Sequence, residues 1–113
     1  MNRFNQLPEF EKEIKRLGKK YPSLSDDIDK FKQIINQYPT GIGKNFEILH
    51  NLEKVKIIKS RLACKSLRDR SVRIIYAYHN DSITFVYIEI YYKGDKENED
   101  RDRIKQYLKS VVK

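Results

Sequence analysis

The spacing of hydrophobic residues changes once along this chain of 113 residues, from a helical repeat to strand-like runs. Between residues 7 and 38 the apolar residues recur every three or four positions, which places them on one face of a helix. Between residues 55 and 92 they gather in runs rich in β-branched and aromatic residues, as strands prefer. A chain with this order buries its helical faces against a sheet.

Two consecutive amphipathic helices are predicted in the first part of the chain. The first has Pro8 in its first turn, where a missing amide donor costs nothing, and ends near Tyr21. Its apolar face consists of Leu7, Phe10, Ile14, Leu17 and Tyr21. The second begins near Ser23, which has capping-box character with Asp26, and stops before Pro39. Its apolar face consists of Leu24, Ile28, Phe31, Ile34, Ile35 and Tyr38.

Three strands are predicted after this helical pair, and they are Val55 to Ala63, Val72 to His79 and Ile83 to Tyr92. The turn signal Asn80-Asp81-Ser82 predicts that the last two form an antiparallel hairpin. In the third strand, Val86, Ile88 and Ile90 are expected to share a dry face, while the intervening residues leave a partly wet one. Residues 45–49 and 3–5 are candidates for short additional strands.

A last helix is predicted after the charged stretch that follows Gly94, with an inner side formed by Ile104, Tyr107, Leu108 and Val111. The fold class is therefore α+β, with two N-terminal helices packed on a small antiparallel β-sheet and a C-terminal helix. All helices are expected on one face of the sheet. The length and the absence of repeats or linkers predict a single domain over residues 1–113.

Positive charge is concentrated in the middle of the chain. The formal net charge is +8 and the pI is about 9.5. Residues 54–73 carry Lys54, Lys56, Lys59, Arg61, Lys65, Arg68, Arg70 and Arg73 against one acid, Asp69. Acids gather instead in residues 9–13, 26–29 and 95–102. This segregation favours a polyanionic partner such as nucleic acid, an acidic protein or a membrane surface, with a merely solvated face as the alternative.

Several classes of protein are disfavoured by the composition. No apolar stretch is long enough to span a bilayer, and the first residues lack the features of a signal peptide. The single cysteine, Cys64, allows no internal disulfide and indicates a reducing cytoplasm, where it is expected to be a structural thiol. His50 and His79 do not have the sequence spacing that is typical of metal ligands, and both are expected to be surface residues. No metal site is therefore predicted. No cofactor is expected.

Four cations are predicted to converge on one surface of the sheet. Lys59 and Arg61 are two residues apart on a strand and project from the same face, Arg73 opens the next strand, and Lys93 follows the last. Convergent Lys and Arg side chains suit a phosphodiester, because they stabilise the charge on its non-bridging oxygens. The alternative is that these are solvated charges that protect an edge strand.

Four segments of the chain resemble the RelE/ParE superfamily of toxins from type II toxin–antitoxin systems. The segments are Tyr21-Pro22-Ser23-Leu24, Val55 to Ala63, Arg68 to Tyr76, and Ile88 to Lys96. The order of elements is similar as well, and the resemblance covers nearly the whole chain. Family members typically have a basic-x-basic strand, an arginine that starts the next strand, and a lysine after the third strand. Lys59 and Arg61, Arg73, and Lys93 match these positions.

The resemblance implies a metal-independent endoribonuclease that cuts messenger RNA on the ribosome, with the 2′-hydroxyl of the RNA as the attacking group. It assigns Arg61 and Arg73 to stabilisation of the phosphate. Lys59 would orient the backbone or, with a lowered pKa, help to activate the hydroxyl, and Lys93 is the fourth catalytic candidate. The residues expected to contact RNA around this centre are Lys56, Lys65, Arg68, Arg70, Tyr91 and Tyr92.

The chain departs from the family pattern at two places, and the departures keep other functions open. Several relatives use a late tyrosine or histidine as acid or base, where this chain has acids from Asp95 to Asp102. The loop before Arg73 lacks the glycine of many relatives. A non-enzymatic inhibitor of DNA gyrase and an inactive family member therefore remain alternatives. The expected partners are messenger RNA, the ribosome and a cognate antitoxin in a hetero-oligomer, without a membrane.

Overall fold

The protein is a mixed α and β domain, seen in a computed structural model that describes residues 3–68 and 71–112. Its elements are β1 (Arg3–Gln6), α1 (Pro8–Lys20), α2 (Leu24–Gln37), β2 (Phe46–Asn51), β3 (Val55–Ala63), β4 (Ser71–His79), β5 (Thr84–Tyr92) and α3 (Arg101–Val111). A single 3-10 turn, Lys65–Leu67, follows β3. Both short candidate segments are strands, so the order of elements begins with β1 and not with a helix.

The five strands form one sheet in the order β1-β5-β4-β3-β2. The β4–β5 pair is antiparallel, as predicted for this hairpin, and the β2–β3 and β3–β4 pairs are antiparallel as well. At one edge, β1 runs parallel to β5 and pairs with its first half, from Thr84 to Tyr87. The sheet is therefore mixed, with β3, β4 and β5 side by side. This arrangement brings the basic residues of β3 and β4 next to each other.

The helices lie on both faces of the sheet, so the prediction that they share one face is wrong. One core cluster packs under α1 and α2 and includes Phe10, Leu17, Leu24, Phe31, Ile58, Ile74, Tyr76 and Phe85. The other packs under α3 and consists of Val55, Ile57, Ile75, Ala77, Val86, Ile88 and Ile104. The central strands are apolar on both sides, and each side needs a cover that excludes water. We call these surfaces the α1/α2 face and the α3 face.

A β-bulge in β5 changes which side chains share a face. Ile75 pairs with Glu89, but its neighbour Tyr76 pairs with Tyr87, so Ile88 is an extra residue. Beyond the bulge the alternation is reversed, and Ile90 joins the α1/α2 core while Ile88 stays in the α3 core. The predicted dry face of Val86, Ile88 and Ile90 is therefore wrong. As a result Glu89 and Tyr91, which pair with Ile75 and Arg73, lie on the α3 face.

An ion pair covers the second half of the β5 edge, which β1 does not reach. Glu13 of α1 and Arg103 of α3 form two parallel hydrogen bonds of 2.9 and 3.0 Å. Arg103 also donates to the carbonyl of Ile88 at 2.9 Å, and the amide of Ile90 donates to Glu13 at 3.2 Å. These two backbone groups of β5, which could otherwise pair with another strand, are thereby hydrogen-bonded within the chain. The ion pair also connects α1 to α3 across the edge of the sheet.

Two local predictions are wrong, namely the capping box at Ser23 and the start of the last strand at Ile83. Ser23 is the residue before α2, but its hydroxyl donates to Asp27 at 2.8 Å and accepts from the amide of Ser66 at 2.9 Å, so it forms no capping box with Asp26. The β4–β5 turn is one residue longer than expected. Ile83 has a positive φ of 51° and belongs to the turn, so β5 begins at Thr84.

Candidate anion-binding site

Five basic residues line one cleft, which we call the cationic cleft, and four of them are the cations that the sequence predicted to converge. Arg61 of β3 is paired directly with Arg73 of β4, and Lys59 lies two residues before Arg61 on the same face. Lys93, one residue beyond β5, lies at the same cleft, whose volume is about 250 Å³. Its other lining residues are Lys44, Asn45, Phe46, Glu47 and Ser60. The cations that the sequence predicted to converge therefore lie together.

Arg61 and Arg73 concentrate positive charge at the centre of the cationic cleft. Arg73 is only 8% exposed, whereas Arg61 is exposed. Burial lowers the pKa of Arg73, and the charge of Arg61 lowers it further. Like charges directly opposite each other destabilise a sheet, and an arginine does not escape this cost by losing its proton near neutral pH. A site that keeps two guanidinium groups in this position is suited to an anion that neutralises both.

Lys59 has a fixed partner, which changes the role expected of it. Its ammonium donates a hydrogen bond of 2.9 Å to Glu99. Partial burial alone would lower the pKa of Lys59, but the hydrogen bond to Glu99 and the nearby Tyr91 outweigh it, and the pKa is raised. The expectation that Lys59 activates a hydroxyl through a lowered pKa is therefore wrong. The other role predicted for Lys59, orientation of the RNA backbone, does not require a lowered pKa.

Glu99 belongs to a segment, residues 95–100, that is anchored on the α3 face beside the cationic cleft. Glu89 of β5 is completely buried and accepts hydrogen bonds from Lys96 and from the amide of Asp100, the latter at 2.7 Å. Asp100 in turn caps α3 by accepting from the amide of Arg103 at 3.0 Å. The acidic stretch is therefore held by specific contacts, and Glu99 offsets one charge of the cleft.

Tyr91 and Tyr92 are not positioned to stack on RNA bases. Tyr91 is 3% exposed, and its hydroxyl has no hydrogen-bond partner among the described residues, although the Lys59 ammonium is near enough to act on it electrostatically. Tyr92 lies on the opposite face, where its ring contacts that of Tyr21 at 6.0 Å between centroids. Neither tyrosine is among the described residues that line the cationic cleft, although Tyr91 is next to Arg73 and Lys59 on the α3 face.

The remaining predicted RNA contacts are dispersed. Lys56 pairs in register with Tyr78 on the α1/α2 face, and its ammonium donates to the carbonyl of Leu52 at 2.9 Å, so it lies away from the cationic cleft. Lys65 lines a neighbouring cleft instead. Arg68 is exposed and has a left-handed φ of 47°. Arg70 lies outside the described residues.

Glu47 and Lys44 line the cationic cleft but were missed by sequence reasoning. Glu47 is an exposed residue of β2 and is the register partner of Lys59, which places a carboxylate opposite the cationic row. Residues 45–49 were recognised as a candidate strand, but nothing local indicated which strand they would join. Only the pairing of β2 with β3 in the folded sheet shows that Glu47 lies opposite Lys59.

His79 is not the surface residue that was expected. It is half-buried on the α3 side, its Nε2 lies 2.5 Å from the hydroxyl of Tyr107, and burial lowers its pKa. Tyr107 packs inward from α3, as predicted, and burial raises its pKa to about 12. Cys64 is buried in the α1/α2 core, in agreement with a structural role. Within residues 3–68 and 71–112, no group of His, Cys, Asp and Glu side chains has the arrangement of a metal site.

Comparison with known proteins adds no assignment. No protein-family model matches this chain, and no curated protein matches it. Among the helices that the structure describes, none has the length and apolar character needed to cross a membrane. The function has to be inferred from the chemistry of the cationic cleft.

Proposed function

We propose that this protein is the toxin of a type II toxin–antitoxin system, a RelE/ParE-type endoribonuclease that cleaves messenger RNA on the ribosome in the cytoplasm. The observation that supports this most is the cationic cleft, in which Arg61, Arg73 and Lys93 converge on a space of about 250 Å³. A phosphodiester with charge developing on its non-bridging oxygens is the ligand that such a space fits. The reaction needs no external nucleophile, because the RNA supplies its own 2′-hydroxyl.

Arg61 and Arg73 would bind the scissile phosphate. A guanidinium offers a planar fork that matches two phosphate oxygens, and Arg73 is held in place by its burial in β4. Lys93 is exposed beside the cleft and would neutralise charge on the adjacent backbone. Lys59, restrained by Glu99, would contribute a fixed positive potential rather than a movable proton.

Glu47 is the proton acceptor that this arrangement favours. Its carboxylate lines the same cleft as the two arginines, and Lys59 is excluded as a base by its raised pKa. In the proposed step Glu47 takes the proton of the 2′-hydroxyl as the oxygen attacks phosphorus. The bond between phosphorus and the 5′ oxygen breaks, the leaving oxygen takes a proton from solvent water, and the products are a 2′,3′-cyclic phosphate and a 5′-hydroxyl.

A non-enzymatic inhibitor of DNA gyrase is the second candidate. The observation that favours it is that no tyrosine or histidine is among the described residues lining the cationic cleft. An inactive family member would share this feature. Primer extension on ribosome-bound messenger RNA separates the possibilities. New 5′ ends with the wild-type protein and none with Arg73→Ala support the endoribonuclease, whereas intact messages with broken DNA support the inhibitor.

A cognate antitoxin follows from the same proposal. An acidic segment of such a partner would neutralise the cationic cleft and form a hetero-oligomer with this chain. Purification from the native host under low salt tests this directly. We expect a small acidic protein in the complex, and an antitoxin role requires that it restore translation when added to the toxin.

A further inference from the structure

A second cleft of about 310 Å³ adjoins the cationic cleft, between α2 and the β2–β3 pair. Its apolar floor is formed by Phe31, Ile34, Phe46 and Leu62. Ile34 is 43% exposed, and Phe46 is half-buried and stacked on Phe31 with 6.0 Å between ring centroids. Arg61, Asn45 and Phe46 line both clefts. The two clefts are therefore neighbours at the end of β3, where the amide of Arg61 donates to the carbonyl of Asn45 at 3.0 Å, with the cationic cleft on the α3 face and the second cleft on the α1/α2 face.

Two exposed lysines stand at the rim of this second cleft. Lys30 comes from α2 and Lys65 from the 3-10 turn after β3. The turn is fixed to the start of α2, because the amide of Ser66 donates to the hydroxyl of Ser23 at 2.9 Å and the amide of Ser23 donates to the hydroxyl of Ser66 at 2.9 Å. The ammonium of Lys65 interacts with that of Lys30 and lowers its pKa, whereas the carboxylates of Asp27 and Asp26 act in the opposite direction. Asp27 also lines this cleft, but it is buried and accepts a hydrogen bond from the amide of Lys65 at 3.3 Å. The two exposed lysines at the rim suit an anion between them.

We propose that the second cleft binds the nucleotide next to the phosphate held in the cationic cleft. The base of this nucleotide lies against Phe46 and Ile34, and its phosphate lies between Lys30 and Lys65. Arg61 marks the point where the RNA backbone passes from one cleft to the other. This inference rests on the proposed function, since it requires single-stranded RNA in the cationic cleft. It adds a recognition site that gives preference to a flat base over an abasic sugar.

The shape of the second cleft favours a nucleotide over a polypeptide. A volume of about 310 Å³ lies at the lower end of the range for small-ligand sites. An amphipathic helix instead needs a groove with anchor points repeated along several turns. The shared lining with the cationic cleft is a further reason, because a continuous RNA strand engages both spaces at once. An acidic polypeptide bound at this cleft is the competing outcome.

Binding of short RNAs tests the inference. The probes are a nucleoside 3′-monophosphate and a trinucleotide with a 2′-deoxy position that prevents cleavage, measured by calorimetry. For the double variant Lys30→Gln, Lys65→Gln, we expect about tenfold weaker binding of the trinucleotide and unchanged binding of the monophosphate. The slope of log affinity against log salt should fall by roughly 0.7 for each phosphate that the variant no longer neutralises. Ile34→Glu should weaken trinucleotide binding to a similar degree.

A variant with the same charge change at a distant site is the control. Lys12 and Lys19 are exposed on α1, and the double variant Lys12→Gln, Lys19→Gln should leave both affinities unchanged. The inference is overturned when the double variant binds the trinucleotide like the wild type, or when it loses affinity only for an acidic peptide. The proposed function fails separately, when Arg73→Ala retains full affinity for both RNA probes.

Discussion

The ammonium of Lys59 donates a hydrogen bond of 2.9 Å to the carboxylate of Glu99, forty residues further along the chain. The pair brings an acid from the segment after β5 to the border of the cationic cleft. Glu99 thereby restrains Lys59 and offsets its charge. The cleft is consequently less positive than its row of basic residues suggests, and its electrostatics depend on a segment outside the sheet.

The first prediction concerns this pair. In Glu99→Gln the pKa of Lys59 should fall, because the carboxylate that raises it is gone while the burial that lowers it remains. RNA affinity should rise by several-fold as the cleft gains net positive charge. Titration of the Lys59 side chain by NMR measures the first effect. Glu97→Gln is the control, since Glu97 is an exposed acid of the same segment, and an identical Lys59 titration in all three proteins would contradict the assignment.

The second prediction concerns Glu47 as the proton acceptor. Glu47→Gln should reduce the cleavage rate by roughly 10²-fold or more, as loss of a general base does, without weakening RNA binding. The substitution removes a negative charge from a site that binds an anion, so binding should not weaken. Single-turnover cleavage and equilibrium binding separate the two effects. Glu53→Gln, at an exposed loop position, serves as the control. Equal loss of affinity and rate would assign Glu47 a binding role instead.

The third prediction compares two buried tyrosines. The hydroxyl of Tyr91 has no hydrogen-bond partner within the described part of the chain, whereas that of Tyr76 donates to the carbonyl of Pro39 at 2.9 Å. Tyr91→Phe should leave stability unchanged or raise it, while Tyr76→Phe should cost about 0.5–1.5 kcal/mol. Urea unfolding measures both. Cleavage by Tyr91→Phe should match the wild type, and a large loss would mean that Tyr91 takes part in the reaction.

The fourth prediction concerns the ion pair at the edge of β5. Arg103→Ala removes the guanidinium that donates to Glu13 and to the carbonyl of Ile88. Because both acceptors are partly buried, the change should lower the unfolding free energy by about 2–4 kcal/mol. Lys15→Ala breaks the exposed pair with Glu11 on the same helix and should cost less than about 0.5 kcal/mol. Comparable losses in the two variants would show that Arg103 does not protect the edge.

The fifth prediction concerns His79 and pH. The pKa of His79 is lowered in the folded protein by burial, so the unfolded chain binds the proton more readily. Stability from this residue is complete above the unfolded pKa of about 6.5 and is lost as the pH falls towards the folded pKa. In His79→Gln, unfolding by urea should depend less on pH in this window than in the wild type. His50→Gln, at an exposed position, should keep the wild-type dependence.

Local spacing was sufficient to predict most elements of this fold. β3 spans Val55–Ala63, as its β-branched residues predicted, and α1 begins at Pro8, where proline is favoured. The same is true of the convergence of Arg61 and Arg73, because adjacent strands with a known alternation leave few ways to arrange them. These features depend on backbone geometry and side-chain alternation within a few residues, which the sequence specifies by itself.

The tertiary structure decided the features that depend on distant partners. The extra residue Ile88 reverses the alternation in β5 and turns Glu89 and Tyr91 towards the α3 face, although the sequence there reads as a regular strand. The pairing of Glu99 with Lys59 and the approach of Glu47 to the same cleft follow from chain segments that meet only after folding. Register, face and ion pairing are determined by burial of both sides of the sheet, a property of the whole molecule that no local pattern contains.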